Sequence, residues 1–153
     1  MSDYIMELRK TVGHRLLLGV GVGVLVLDSE GRLLLQRRSD NGCWDYAGGA
    51  AEPDEDVEAA ARRELEEETG LRAASLELFG VFSGPDCHFY YPNGDEVSYV
   101  ILLYTCRDYS GALAPQPGEV EELRFFAPDE LPGDISPVSR RPLSAWLEQH
   151  KEV

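Results

Sequence analysis

Glu64, Glu67 and Glu68 stand at i, i+3 and i+4 in a segment that reads as helix, Val57 to Thr69. That spacing puts three carboxylates on one side of a helix. Val57, Ala61 and Leu65 fall at i, i+4 and i+8 and give a separate apolar stripe to bury. Asp54 or Asp56 can cap the start, and Gly70 follows as a C-terminal stop. Like charges at these spacings oppose the helix and raise one another's pKa. A bound divalent cation removes both penalties, and an oxygen-only ligand set favours a hard ion, Mg²⁺ first and Mn²⁺ second. The competing reading is a solvated acidic face.

The wider spacing bears on that choice. Gly49 is followed after five residues by Glu55. After seven more comes Arg63-Glu64-Leu65-Glu66-Glu67-Glu68-Thr69-Gly70-Leu71. Residues 49–71 therefore resemble the Nudix box at every fixed position. The lead-in Trp44-Asp45-Tyr46-Ala47-Gly48-Gly49 is similar to that family's aromatic-Pro-Gly-Gly, with Ala47 in place of proline. Pro53-Asp54 stands where a pair ending in glycine is common. The resemblance implies a loop-helix-loop site that binds Mg²⁺ and hydrolyses a phosphoanhydride in a nucleoside diphosphate linked to another group. Nucleoside triphosphates, ADP-ribose and nucleotide sugars are the substrate classes it implies. It makes Glu64, Glu67 and Glu68 the metal ligands, and Glu55 and Arg63 the residues that tie loop to helix. Gly49 opens the box. In that family a glutamate late in the chain completes the metal site or acts as general base. Glu119 is the first candidate here, Glu122 the second, and Glu64 is an alternative base. Glu52 is a further carboxylate on the metal side. The alternative within the same fold is a catalytically silent sensor that binds a nucleotide.

The elements that must position these groups follow from patterning. Leu16 to Asp28 alternates Val with Gly and then turns continuously aliphatic, which predicts a buried strand whose glycines allow close backbone approach. Ser29-Glu30-Gly31 predicts a hairpin turn and Arg32 to Arg38 the returning strand. Arg37 and Arg38 must point to opposite faces, so at most one of them can grip a phosphate oxygen. Leu76–Phe82, Cys87–Tyr91 and Val97–Cys106 predict a meander, and Glu119–Phe126 a late strand. Residues 137–150 predict a terminal helix that packs through Leu143, Trp146 and Leu147. Residues 1–15 are expected to add an edge strand or cover one face, with Tyr4 and Arg9 at the surface. Trp44, Tyr46, Phe82, Phe89, Tyr90 and Tyr91 are available to stack on a base. The resemblance implies an α/β/α sandwich with a mixed sheet and one helix on each side.

At 153 residues the chain is expected to be one domain, 1–153. A net charge of −14 argues against nucleic-acid and anionic-membrane partners, which attract basic patches. It also repels a phosphate substrate unless cations bridge the two. The apolar run Leu16–Leu27 is far short of the roughly 20 residues needed to span a bilayer. Cys43, Cys87 and Cys106 show no C-x-x-C pattern and read as reduced thiols in a cytoplasmic protein. A homodimer built through the N-terminal segment or an edge strand is expected as a possible assembly.

Overall fold

The computed structural model describes residues 3–151. The first long strand, β1 (Leu17–Val26), runs through the middle of a five-stranded sheet. It pairs antiparallel with β4 (Ala47–Ala50) and parallel with β8 (Glu96–Cys106). Strands β6 (Glu77–Phe82) and β7 (His88–Tyr90) both pair antiparallel with β8. The sheet is therefore mixed. A second sheet joins β10 (Val120–Phe126), β2 (Leu33–Arg38) and β3 (Trp44–Asp45). Strands β5 (Arg72–Ala73) and β9 (Tyr109–Ser110) form a short ribbon.

Two helices bury opposite faces of β1, as strand alternation requires. Val22, Val24 and Val26 pack with Ala60, Ala61 and Leu65 of α2 (Val57–Thr69). Leu25 and Leu27 pack with Leu143 and Trp146 of α3 (Pro137–Lys151). This is the α/β/α sandwich that the resemblance implies. In α3, Leu147 is only partly buried.

Four expectations change. Residues Asp3–Val12 form a helix, α1, and not an edge strand. Its Arg9 is buried, not at the surface. The guanidinium donates to the carbonyls of Gly13 at 3.0 Å and Glu96 at 2.8 Å, and so ties the helix to β8. The Ser29–Gly31 turn holds, but β1 and β2 then part. Their pairing is a single bridge, Leu27 to Leu33, because β2 finds its partners in β10 and β3. The expected meander is also different. β6 and β7 lie end to end along one edge of β8, since β1 occupies its other edge.

Candidate active site

Helix α2 starts where Asp56 caps it, accepting from the N–H groups of Glu58 at 2.9 Å and Ala59 at 3.2 Å. It ends at Gly70, in the left-handed region at φ 81°, whose N–H bonds Glu66 O. Ala61 and Leu65 are fully buried, Val57 is half-buried, and Ala60 and Thr69 widen the stripe. That burial fixes the rotation of the helix. Its polar side then meets β4 and the acidic loop before it.

Loop and helix are joined by charge. Arg63 Nε donates to Glu55 Oε2 at 2.8 Å and Nη2 to Glu55 Oε1 at 3.0 Å, a two-pronged pair. Nη2 also reaches Ala50 O at 3.2 Å. Glu55 Oε1 accepts the Glu52 N–H at 3.0 Å. The Arg63 guanidinium holds the Glu55 carboxyl below its usual range against a smaller opposing effect of burial.

Glu64, Glu67, Glu68 and Glu119 line one pocket, together with Arg63 and Arg38. Each of the three helix acids already has protein donors. Arg63 Nη1 lies 2.9 Å from Glu64 Oε1 and 3.5 Å from Glu67 Oε2. Glu68 Oε1 accepts the Gly48 N–H at 2.8 Å, and Oε2 accepts Gln36 Nε2 at 2.5 Å. Burial raises the Glu64 carboxyl, against Arg63. Burial pushes Glu68 up to about 8, because its donors are neutral and Glu64 and Asp45 add like charge. Among the described residues no three acidic, histidine or cysteine side chains converge on one point as a finished metal cage. The donor chemistry nevertheless suits a hard cation. It is all oxygen, and among the described residues no cationic side chain pairs with the Glu68 carboxylate, whose donors are Gln36 and the Gly48 N–H.

The other expected residues divide. Glu119 sits in the turn before β10 and faces this pocket; Glu122 does not, and pairs with Arg124. Glu52 lines the pocket, but its two oxygens accept the first N–H groups of α1, Asp3 at 2.9 Å and Tyr4 at 3.1 Å. Arg38 faces the pocket, held by Asp40 at 2.8 Å, with its guanidinium 5.2 Å from the Phe89 ring. Arg37 points to the opposite face and pairs with Glu121 at 3.0 Å. The alternation of β2 thus brings one arginine to the site and turns the other away.

A second pocket adjoins the first and shares Gln36, Arg38, Gly48, Gly49, Tyr91 and Tyr99 with it. Its walls are Tyr46, Phe89, Tyr91 and Tyr99, and Val138 and Ser139 of α3 close it. Gly21 of β1 lines it, and Gly23 makes room for one of its walls: a Cβ at Gly23 would stand 2.3 Å from the Tyr46 ring. Of the six aromatics expected to be available for stacking, Tyr46, Phe89 and Tyr91 line this pocket. Trp44 and Phe82 are buried in the core, and Tyr90 is 70% exposed. Tyr99, Gln36 and Asp45 are lining residues that sequence reasoning missed. The signal for Gln36 was an amide in an otherwise aliphatic strand stretch. Asp45 is 7% exposed and accepts a hydrogen bond from the Ser139 hydroxyl. Burial pushes its carboxyl up to about 6, opposed by Ser139 and by Arg38 3.8 Å away.

The chain is similar to known proteins in sequence and in fold. The NUDIX domain profile matches residues 17–147. An ADP-ribose pyrophosphatase from Methanocaldococcus jannaschii is 34% identical over 135 residues, which is 86% of this chain and 76% of that protein. A MutT-like protein from Streptomyces ambofaciens is 36% identical over 112 residues, 73% of this chain and 66% of that protein. The crystal structure of a MutT NUDIX hydrolase from Burkholderia pseudomallei superposes with a TM-score of 0.71 at 32% identity, covering 83% of this chain and 96% of that one.

Proposed function

The chain belongs to the NUDIX hydrolase family, and from that premise we propose that it hydrolyses the phosphoanhydride of a nucleoside triphosphate or a nucleoside diphosphate derivative with Mg²⁺. The observation that carries the reading is the contiguity of an acidic pocket and an aromatic one across shared glycines. A nucleotide has the same two halves, a polyanion and a flat ring.

Glu64, Glu67 and Glu68 would hold the cation, and Mn²⁺ would fit the same oxygens. When bound, the cation neutralises phosphate charge and makes water more acidic. The chain supplies the rest. Arg38 presents a guanidinium to phosphate oxygens from the pocket rim. Arg63 and Glu55 hold the loop so that Gly48 and Gly49 stay open toward the substrate. Glu119 is the candidate base, because it is exposed and no hydrogen bond or ion pair among the described residues engages its carboxylate. Glu64 is engaged by Arg63 and is the poorer choice. Tyr46, Phe89, Tyr91 and Tyr99 would enclose the base.

A cytoplasmic location is part of this proposal, and three free cysteines among the described residues support it. Among the described residues no helix is long and apolar enough to cross a membrane. The deciding experiment is a panel of nucleoside triphosphates, ADP-ribose and nucleotide sugars with Mg²⁺ and with Mn²⁺, with products identified. Metal-dependent release of a nucleoside phosphate from at least one is expected. Binding of a nucleotide without any turnover would instead make the protein a silent sensor.

A further inference from the structure

The five-stranded sheet is covered unevenly on its α2 side. Val22, Val24 and Val26 of β1 and Tyr104 and Cys106 of β8 are buried there with the apolar stripe of the helix. Toward the start of β1 and β8, and outward across β6 and β7, the same face runs on exposed. Strand alternation puts Leu18 and Val20 in line with Val22 and Val24. The register carries the face across the sheet. Leu18 and Val20 stand beside Ser98 and Val100, Leu102 is opposite Val81, Tyr104 opposite Leu78, and Glu96 opposite Tyr90. The apolar residues at the uncovered positions are exposed by 42% at Val20 up to 78% at Leu18. Nine large apolar side chains are exposed among the described residues, and five of them (Leu18, Val20, Leu78, Val81 and Tyr90) share this face, so their exposure is a patch and not scatter.

Charge and area point to what covers it. In a chain of net charge −14 the patch is nearly neutral. The acidic and basic side chains that its strands place there are Glu96 and His88, which meet each other at 2.9 Å. A strongly charged partner would find no counter-charge on it. A second copy brings the same neutral apolar surface, which a two-fold axis makes complementary to itself. The area is also sufficient. Weighted by their exposure, the five side chains present roughly 600 Å² on one copy, the upper end of what a monomer leaves in a single patch. Two copies would cover up to about 1,200 Å², the lower end for a specific interface. We propose that this half of the sheet is a homodimer interface, with two copies stacked face to face through Leu18, Val20, Leu78, Val81 and Tyr90. The aromatic pocket lies on the other face of the same strands, where Gly21, Tyr99 and Ile101 line it, so dimerisation leaves it open in both copies.

The test is the solution mass of the protein by sedimentation equilibrium, from about 1 to about 100 µM. The wild type is expected at twice the mass of one chain at the upper concentration. Leu18→Glu and Val81→Glu each place a charge on the patch at an exposed position, and each should weaken the dimer at least tenfold with Tm held within a few degrees. Leu18→Thr keeps strand propensity and should weaken it in the same direction, which preserves the test if the charged variants do not fold. Met6→Glu is the control: it charges the exposed side of α1, at the N-terminal segment, and should leave the dimer intact. Raising the salt concentration should tighten the wild-type dimer, since salt screens the repulsion of two acidic chains and leaves apolar burial in place. A wild type that stays monomeric at the upper concentration overturns the proposal. So does a dimer that the folded patch variants leave unchanged, one that Met6→Glu dissociates, or one that salt weakens.

Discussion

Gly49 lies directly against Glu64: a Cβ at Gly49 would stand 2.4 Å from the Glu64 carboxyl carbon and 2.5 Å from its Oε1. The strand that carries the glycine and the helix that carries the acid are thus fitted to each other at the site. The obstructed group is the end of a flexible side chain, so the helix need not move to make room. Gly49→Ala is expected to keep the fold, with Tm within a few degrees of the parent, while Glu64 swings out of the pocket. Hydrolysis should fall by about tenfold to a hundredfold, in line with the cost of disturbing groups that orient a metal site. A steady-state rate at saturating Mg²⁺, read beside a melting curve, separates the two effects. A large loss of Tm would mean that the backbones and not the side chain yield.

Glu68 is the most deeply placed of the helix acids, and its donors among the described residues, Gln36 and the Gly48 N–H, are neutral. Its carboxyl is pushed up to about 8, mainly by burial. A raised carboxyl means that the folded state loses stability as pH climbs from the ordinary carboxylate range through that value. Glu68→Gln removes this loss. It should melt higher than the parent in metal-free buffer at pH 8, yet turn over substrate slower by orders of magnitude at saturating Mg²⁺. Equal turnover of variant and parent would remove Glu68 from the chemistry.

Asp45 gives a pH-dependent prediction away from the helix acids. Its carboxyl is pushed up to about 6 by burial. The folded state therefore holds a proton between the unfolded carboxylate range and pH 6 that the unfolded chain has already lost. The stability associated with this group is present at low pH and is lost as pH rises through about 4 to 6, up to about 3 kcal/mol. Asp45→Asn keeps an acceptor for the Ser139 hydroxyl and cannot ionise. Relative to the parent it should gain stability across that interval and hold a constant advantage above it. Urea titrations at pH 4.5, 6 and 7.5 measure the difference; a gap that does not widen between the first two would refute the assignment.

What the sequence made legible here has a physical boundary. Local signals placed α2 from Val57 to Thr69, because capping by Asp56, the Ala61–Leu65 stripe and the stop at Gly70 act within a few residues of one another. Strand alternation said that Arg37 and Arg38 cannot share a face, but not which of them faces the pocket, since that depends on how β2 docks between β10 and β3. The long-range partnerships were out of reach. Glu52 looked like a metal-side acid, yet it accepts backbone N–H groups 48 and 49 residues away. Arg9 looked like a surface cation, yet it is buried against the carbonyl of Glu96. Gln36 and Tyr99 become site residues only when β2 and β8 are brought together around the glycines of β1.

Asp54 stands where the resemblance led us to expect glycine, and it is the one described non-glycine residue with positive φ, at 63°. The loop thus keeps the left-handed conformation although the residue suited to it has been replaced. An L residue pays for that conformation, aspartate less than most. Asp54→Gly should stabilise the chain by roughly 0.5–1 kcal/mol, partly offset by the greater freedom of glycine in the unfolded state. For a chain of this size that is roughly 1–4 °C in Tm. Calorimetry on the pair would show it, and a lower Tm in the glycine variant would mean that the Asp54 side chain contributes more than its backbone strain costs.

The neighbouring arginines of β2 provide an internal control for the phosphate side of the site. Arg38 lines both pockets and its guanidinium is close to Phe89 and Asp40; Arg37 lines neither and is paired with Glu121 on the far face. The Glu121 pair is about two-fifths exposed on each side, so losing it should cost the fold little. Arg37→Ala is therefore expected to leave KM and kcat within about twofold of the parent, whereas Arg38→Ala should raise KM by roughly tenfold or more, the order of a lost charge-assisted contact to an anion. Arg38→Lys should recover only part of the loss, because a single ammonium cannot reproduce the fork that holds Asp40 while facing the pocket. The salt dependence of KM sharpens the comparison: a phosphate contact weakens with ionic strength, so the slope should shrink in Arg38→Ala and persist in Arg37→Ala. Equal effects of the two substitutions would show that the arginine acts through the general field of the protein and not through contact.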